Sequence, residues 1–223
     1  IPRGWFAPDS GYGFGVRPVF LLGAGKTAIS SSRFAWRSLM VFSSPDALKL
    51  SRWTLFQVYV RSFFSQGSFS ISYRQNIGFL FCLEPAGKKI WKTRDELRKF
   101  YLRHLEYYNG NPFMVSLVLG AVARMEERLR DNDGVGPEDI NRFKTAIGQA
   151  IGSVGDRVFW RALRPFGIVL GLLAAYIFGI WGALVFLIVF NMPVLYLRWR
   201  WLVRGYMLGP RAVIEIKNPK LEP

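Results

Sequence analysis

From Phe166 to Phe190 the chain carries no charged residue, and this uncharged run constrains the fold more than any other feature. Six arginines flank it: Arg157, Arg161 and Arg164 before it, and Arg198, Arg200 and Arg204 after it. An α-helix needs about 20 residues to cross roughly 30 Å of hydrocarbon, and the run supplies these with some to spare for tilt. A soluble domain of this size has little core in which to bury an all-round apolar helix. The run therefore predicts a membrane protein with a transmembrane helix at residues 166–190.

The composition agrees with a membrane location, since 51% of the residues are hydrophobic and the formal net charge is +15. The basic residues are spread among aromatic residues along the chain, which favours anionic membrane lipids over nucleic acid as the partner. Cys82 is the only cysteine, so an intrachain disulfide and a Cys-ligated zinc site are excluded. We expect no metal and no cofactor. Because arginines flank both ends of the run, the positive-inside rule does not decide its orientation.

Residues 1–39 are rich in Gly, Pro, Ser and Arg and show no sustained periodicity, so we expect a disordered or non-native extension there. Met40 is interpreted as the natural first residue. Residues 23–27 resemble the end of a phosphate-binding loop, but Phe20 stands where that motif needs its first glycine. A nucleotide site is therefore not expected.

The middle of the chain predicts amphipathic and interrupted helices. One apolar stripe runs from Leu55 to Phe64, and it should lie along a membrane or a partner. The segment 66–76 sets polar side chains into an apolar context, which indicates a re-entrant or broken helix. Thr93 and Glu96 have capping-box spacing.

The next predicted helix starts with Pro112 at its first position and becomes charged after Ala123. It is too short to cross a membrane, so we expect a half-membrane helix emerging into water, with Glu126 and Glu127 at its solvated end. A polar linker is predicted at residues 131–137. A helix over 138–165 follows it, with Pro137 as its opening residue, and in this helix Gly148, Gly152 and Gly155 permit close helix packing. Residues 210–223 are predicted to form a C-terminal tail.

Two ionisable residues stand out. His104 falls on an apolar helical stripe, so we expect a packed, hydrogen-bonded histidine rather than a catalytic base or a phosphohistidine. Asp156 precedes the uncharged run, where a carboxylate is costly unless it is paired or functional. Either an ion pair with a neighbouring arginine or a functional role explains it, and the two explanations stay open.

Several motifs in order from Leu50 to Gly209 resemble subunit IID of the mannose/fructose/sorbose-family sugar phosphotransferase permeases. They are Arg61-Ser62-Phe63-Phe64, Gln66, Ser68-Phe69, Gln75-Asn76, Gly78-Phe79, Arg103-His104-Leu105-Glu106-Tyr107-Tyr108-Asn109 with Pro112, Gly120-Ala121-Val122 with Met125-Glu126-Glu127, Gly155-Asp156, Phe159-Trp160 and Arg164-Pro165. The resemblance implies an all-α membrane domain over residues 40–209, with amphipathic and re-entrant or broken helices at 40–130 and a C-terminal transmembrane helix.

The resemblance also implies a function. Subunit IID pairs with subunit IIC in the bacterial cytoplasmic membrane to form the sugar translocation unit, while subunits IIA and IIB carry the phosphohistidines. The chain would then be a transporter subunit and not an enzyme. Carboxamides and carboxylates on broken helices can bind sugar hydroxyls. The substrate-binding or cavity candidates are Gln66, Gln75, Asn76, Asn109 and Asp156.

The chain also departs from the family pattern. Ser70, Ser72 and Tyr73 replace an Asn, a Glu and an Arg, Gln149 lies where the family has Pro, and Arg157 replaces a small residue. These changes affect polar groups near the expected cavity while the packing glycines remain. Two alternatives therefore stay open: a non-transporting phosphotransferase membrane scaffold of the same fold, and a basic peripheral protein that binds lipid or nucleic acid.

Overall fold

The computed structural model describes residues 49–212, so the expectations for residues 1–39 and Met40, and for most of the tail at 210–223, lie outside the described residues. Within them the fold is helical, and β structure is limited to isolated bridges that join Arg74 to Ser70 and to Tyr108. The helices are α1 Arg52–Arg61, α2 Asn76–Ile90, α3 Arg94–His104, α4 Val115–Arg130, α5 Pro137–Gly155, a π-helical segment Asp156–Leu163, α6 Arg164–Phe178 and α7 Trp181–Leu208, with short 3₁₀ turns at Ser62–Phe64 and Gly209–Arg211.

Helix α4 is the central helix of the core. Most of its residues are buried, and it packs against α2, α5 and α7. Other helices of the same chain surround most of this segment, and its predicted position as a half-membrane helix emerging into water stays a prediction. Its predicted start at Pro112 is wrong. Residues 111–114 form a turn in which Asn111 Oδ1 accepts a hydrogen bond from the Phe113 amide at 2.9 Å, and α4 begins at Val115.

Glycines set the close approach of α4 and α7. A Cβ added at Gly120 would collide with the carbonyl oxygen of Leu202, and one added at Gly205 would collide with that of Leu117. Each glycine therefore faces the backbone of the other helix, which is the geometry that small residues allow in membrane helix pairs.

The uncharged run is a helical hairpin and not one helix, so the prediction of a single transmembrane helix at 166–190 is wrong in this respect. Gly179 ends α6 and separates it from α7. Its backbone angles are φ +61° and ψ −131°, a conformation that is strained for residues with a Cβ. The two arms pack closely where Gly182 meets the backbone of Ala175. Because absence of charge does not distinguish one long helix from two arms, the sequence alone did not indicate the reversal.

Two helical stretches of the described chain are long and apolar enough to cross a membrane. One is the continuous rod Pro137–Phe178, which joins α5, the π-helical segment and α6, and the other is Trp181–Arg211. The first begins with Pro137 at an N-terminal helical position, as predicted, and continues through the predicted helix at 138–165. Residues 131–136 of the predicted linker at 131–137 form the loop that precedes it, and Pro137 is already helical.

The N-terminal helices pack on the base of this hairpin. Tyr59 of α1 donates a hydrogen bond to the Leu195 carbonyl at 3.3 Å, and Arg198 of α7, which is buried, donates to the carbonyls of Ser62 and Pro112, each at 2.8 Å. The predicted apolar stripe on α1 leaves several aromatic side chains exposed, so its contact with lipid or a partner stays a prediction.

The predictions for the segment before α2 and for the start of α3 compare differently with the structure. The chain is non-helical between Phe64 and Asn76, which confirms an interruption in the helical pattern there. A re-entrant position of this segment in the membrane stays a prediction. The capping box at Thr93 and Glu96 is confirmed, because each side chain bonds to the backbone amide of the other residue.

Candidate functional site

A cleft of about 410 Å³ lies where the loop after α3 meets the junction of α5 and the π-helical segment. Polar groups line much of it, and two aromatic residues and a proline border it. The lining residues are Gln66, Tyr107, Asn109, Gly110, Asn111, Pro112, Gly148, Gln149, Gly152, Asp156 and Trp160. The fold thus brings together three of the five predicted substrate-binding candidates, Gln66, Asn109 and Asp156.

Asp156 opens the π-helical segment at the edge of the cleft. Its Oδ1 accepts a hydrogen bond from Nδ2 of the buried Asn111 at 3.0 Å. No arginine within residues 49–212 lies within 4 Å of its carboxylate, so the predicted ion pair with Arg157, Arg161 or Arg164 is wrong. The carboxylate is exposed to the cleft, and π-helical turns within α-helices are frequent at functional sites.

The three packing glycines of α5 have different environments. Cβ atoms added at Gly148 and Gly155 would collide with Asn109 and Asn111, whereas one added at Gly152 would meet nothing within 4 Å. Within the described chain the first two therefore pack against the loop of the cleft and not against another helix, which corrects their predicted role. Gly152 lies on the open side of the cleft, and its contact with a helix of another subunit stays a prediction.

Gln75 and Asn76 do not line the cleft. Both are buried at the start of α2. Asn76 Nδ2 donates a hydrogen bond to the Leu105 carbonyl at 2.5 Å, and the backbone N–H of Gln75 donates to the Tyr108 carbonyl at 2.9 Å. They hold the 65–75 loop against the segment that follows α3. Their predicted contact with substrate has no support from this geometry.

The departures from the family pattern fall in three places. Ser70, Ser72 and Tyr73 belong to a tight turn in which Ser70 Oγ accepts a hydrogen bond from the Tyr73 amide at 2.9 Å, and they do not line the cleft. Gln149 does line it, and there it adds a carboxamide to the polar wall. Arg157 is exposed beside Asp156.

A second polar cluster is buried among α3, α4 and the end of α2. The carboxylate of Glu126 is fully buried and accepts hydrogen bonds from Trp91 Nε1 at 2.9 Å and from Arg103 Nε and Nη2 at 2.8 and 2.7 Å. His104 Nε2 lies 2.9 Å from its Oε1. The predicted packing of His104 is confirmed, whereas the predicted solvated position of Glu126 and Glu127 is wrong, since both are buried and hydrogen-bonded.

Burial dominates the electrostatics of this cluster. It lowers the pKa of His104 to about 4, against the opposing effect of the Glu126 carboxylate, so the imidazole is neutral at pH 7. Burial alone would raise the pKa of Glu126, but the hydrogen bonds from His104 and Arg103 outweigh it and lower that pKa to about 2. Glu126 is therefore an anion at pH 7 that joins α4 to α3 and to the end of α2.

No group of three or more potential metal-ligating residues occurs in the described chain.

Sequence reasoning missed several residues of these sites. Asn111 directly precedes the predicted helix start at Pro112, although an Asn before Pro is equally a turn signal. Trp160 follows Asp156 by four residues, so helical spacing could have placed both on one face. The buried position of Glu126 had one signal: it lies four residues after Val122, on the apolar side of α4.

The chain matches a family model described as the PTS system mannose/fructose/sorbose family IID component over residues 49–222. Two curated relatives are the fructose permease IID component of Bacillus subtilis (strain 168) and the PTS system mannose-specific EIID component of Escherichia coli (strain K12). The first is 29% identical over 78% of this chain and 63% of its own length. The second is 32% identical over 72% of this chain and 57% of its own length.

Two solved structures share the fold. One is a cryo-electron-microscopy structure of the mannose transporter ManYZ in complex with microcin E492, with a TM-score of 0.68 and 28% identity over 78% of this chain and 63% of the other chain. The other, described only as a membrane protein, has a TM-score of 0.72 and 31% identity over 78% of this chain and 64% of the other. The chain thus spans roughly three fifths of the length of the proteins it resembles.

Proposed function

Because the chain belongs to the mannose/fructose/sorbose family of phosphotransferase-system IID components, we propose that it is a subunit of a sugar permease in the bacterial cytoplasmic membrane. Its partner there is subunit IIC, and together they form the translocation unit. Subunits IIA and IIB phosphorylate the transported sugar. The chain itself is a transporter subunit with no phosphoryl-transfer step of its own.

The observation that carries the transport role is the cleft beside Asp156. Its carboxylate, the amides of Asn109 and Gln66 and the fixed amide of Asn111 supply acceptors and donors within one cavity of about 410 Å³. Sites for small polar ligands combine such convergent polar groups with apolar walls. A hexose offers the matching pattern of hydroxyl groups.

The aromatic residues of the cleft fit the same ligand class. Tyr107 and Trp160 border it and are each 43% exposed, so aromatic surface is available to the apolar C–H face of a sugar, with the Arg164 guanidinium over one face of the Trp160 ring. Gly152 also lines the cleft, with nothing within 4 Å of its Cβ position, and in the complex this open position would face subunit IIC. Placing the site on an interrupted membrane helix is a common arrangement in secondary transporters.

A non-transporting scaffold of the same fold remains the second candidate. The observation that favours it is the loss of three polar or charged family residues at Ser70, Ser72 and Tyr73. In this structure that turn does not line the cleft, so the transport proposal does not depend on it. A peripheral lipid- or nucleic-acid-binding protein has no support from the family or from the two membrane-capable helices.

The test is sugar uptake in cells that lack their own mannose-type permease and express the cognate IIC, IIA and IIB subunits with or without this chain. We expect co-purification of this chain with IIC and uptake of labelled mannose, fructose or sorbose only when the chain is present. Labelled phosphate supplied through the upstream carriers should appear on IIA and IIB and not on His104. Co-purification without uptake of any of the three sugars would favour the scaffold.

A further inference from the structure

The base of the α6–α7 hairpin carries an arginine collar, defined here as Arg157, Arg161, Arg164 and Arg200. The first three lie on the first arm and Arg200 on the second. The rings of Phe159 and Trp201 meet edge to face with centroids 5.9 Å apart, which places Arg200 near the level of Arg157 and Arg161, with Arg164 one to two helical turns closer to Gly179. The turn at Gly179 lies at the other end of the hairpin. The arginines that flank the uncharged run in sequence therefore share one end in space.

The charge of the collar is not neutralised within the described chain. From Arg157 to Ala212 there are seven arginines and no acidic residue. No carboxylate of residues 49–212 lies within 4 Å of any collar arginine. The collar arginines of the first arm are exposed to solvent. A cluster of this kind attracts an external anion, because guanidinium groups bind phosphate oxygens in a bidentate geometry.

The surroundings of the collar favour a lipid headgroup as this anion. The guanidinium of Arg164 lies 5.0 Å from the ring centroid of Trp160, and Arg200 donates a hydrogen bond to the Tyr196 hydroxyl at 3.1 Å. Trp and Tyr beside arginine are typical of the membrane–water interface. Beyond the collar the arms expose apolar side chains, such as Leu172 at 66% and Ile177 at 69%.

The length of the arms agrees with this position. From Arg164 to Gly179 α6 rises about 22 Å at 1.5 Å per residue. With snorkelling arginine side chains at the base, this length approaches the roughly 30 Å of the hydrocarbon core. In a bilayer of this thickness, a collar at the phosphate level of one leaflet would place the uncharged turn near the other.

We propose that the arginine collar binds the headgroups of anionic phospholipids in the cytoplasmic leaflet and thereby orients the hairpin, with the turn at Gly179 directed away from the cytoplasm. Positive residues near membrane segments favour the cytoplasmic side. Anionic lipids attract basic residues at the membrane surface, with an effect of about fivefold in binding per arginine.

Native mass spectrometry of the purified full chain tests the proposal. The chain is released from detergent in the presence of equal amounts of phosphatidylglycerol and phosphatidylcholine with the same acyl chains. We expect preferential retention of phosphatidylglycerol, and a preference at least tenfold smaller in the triple variant R157Q/R161Q/R164Q. The matched control is R94Q/R98Q/K99Q, which removes the same charge from exposed positions of α3 and should keep the preference.

Additional variants and conditions separate the effects of charge, folding and ligand source. The triple variant R157K/R161K/R164K should keep most of the preference, because it keeps the charge. If R157Q/R161Q/R164Q does not fold, the single variant R161Q should show a loss of about fivefold. Millimolar inorganic phosphate should not displace the bound lipid. Equal retention of both lipids by the wild-type chain would overturn the proposal. So would an unchanged preference in R157Q/R161Q/R164Q accompanied by loss of co-purification with IIC, since the collar would then be a protein interface.

Discussion

Replacing Glu126 by alanine tests whether the buried anion holds the N-terminal helices together. Its carboxylate accepts hydrogen bonds from Trp91, Arg103 and His104, and the two bonds from Arg103 are bidentate. Glu126 is fully buried, and only 9% of the Arg103 side chain is exposed. The substitution leaves a guanidinium, an indole N–H and an imidazole without their common acceptor.

The expected cost follows from this burial. Removing one partner of a buried ion pair costs about 3–5 kcal/mol, because the other charge stays buried and unpaired. For a domain of 150–250 residues each 1 kcal/mol shifts the melting temperature by about 2–4 °C. The variant should therefore melt about 6–20 °C below the wild-type chain. An exposed glutamate at a solvated helix end would change stability by no more than about 0.5 kcal/mol.

The assay is thermal unfolding of the purified full chain in a mild detergent, followed by circular dichroism. E126Q separates charge from shape, and it should be destabilised less than E126A, since the amide oxygen still accepts hydrogen bonds. E138A removes an exposed glutamate at the start of α5 and serves as the matched control. A melting temperature for E126A equal to that of E138A would refute the assigned role of Glu126.

Three further predictions concern other parts of the chain. Burial lowers the pKa of His104 from its ordinary value of 6.5 to about 4, so between these pH values the unfolded chain binds a proton that the folded chain excludes. About 3 kcal/mol of folding stability should therefore be lost as the pH falls from 6.5 to 4, and the loss should be smaller in H104Q. Melting curves at pH 7 and pH 4.5 test this. G205A should lower the melting temperature because its Cβ meets the backbone of α4, whereas G152A, at an open helical position, should not lower it. In I180C, a membrane-impermeant maleimide should label the hairpin turn from the non-cytoplasmic side of right-side-out vesicles. The native Cys82 should give little background, because it is buried and burial raises its pKa to about 12. Labelling only in inside-out vesicles would contradict the orientation.

Local signals in the sequence were sufficient for several elements. The capping box at Thr93 and Glu96 and the proline at the start of α5 depend on neighbouring residues only, and both were predicted correctly. The uncharged run from Phe166 to Phe190 indicated the membrane class, because its length and hydropathy are properties of the segment itself.

Features that depend on distant contacts were not predictable. The spacing of Glu126 from Val122 places it on the apolar side of α4, but the partners that allow its burial, Arg103 and His104, lie on another helix and are not evident from the sequence. The reversal at Gly179 needed knowledge of which arms pack together. For the cleft, residue type identified Asn109 and Asp156, but the same reasoning included Gln75 and Asn76, whose side chains the fold directs inward.

The most direct measurement of the central claim is the concentration dependence of sugar uptake by cells that express D156N with the cognate partner subunits. D156N keeps the shape of the side chain and the acceptor for Asn111 but removes the charge from the cleft. A lost hydrogen bond to a charged group corresponds to roughly a 10- to 100-fold weakening. We expect a rise of at least tenfold in the sugar concentration needed for half-maximal uptake, with an unchanged yield of the IIC complex and no such rise in the control E138Q. Uptake by D156N indistinguishable from that of the wild-type chain would contradict the claim.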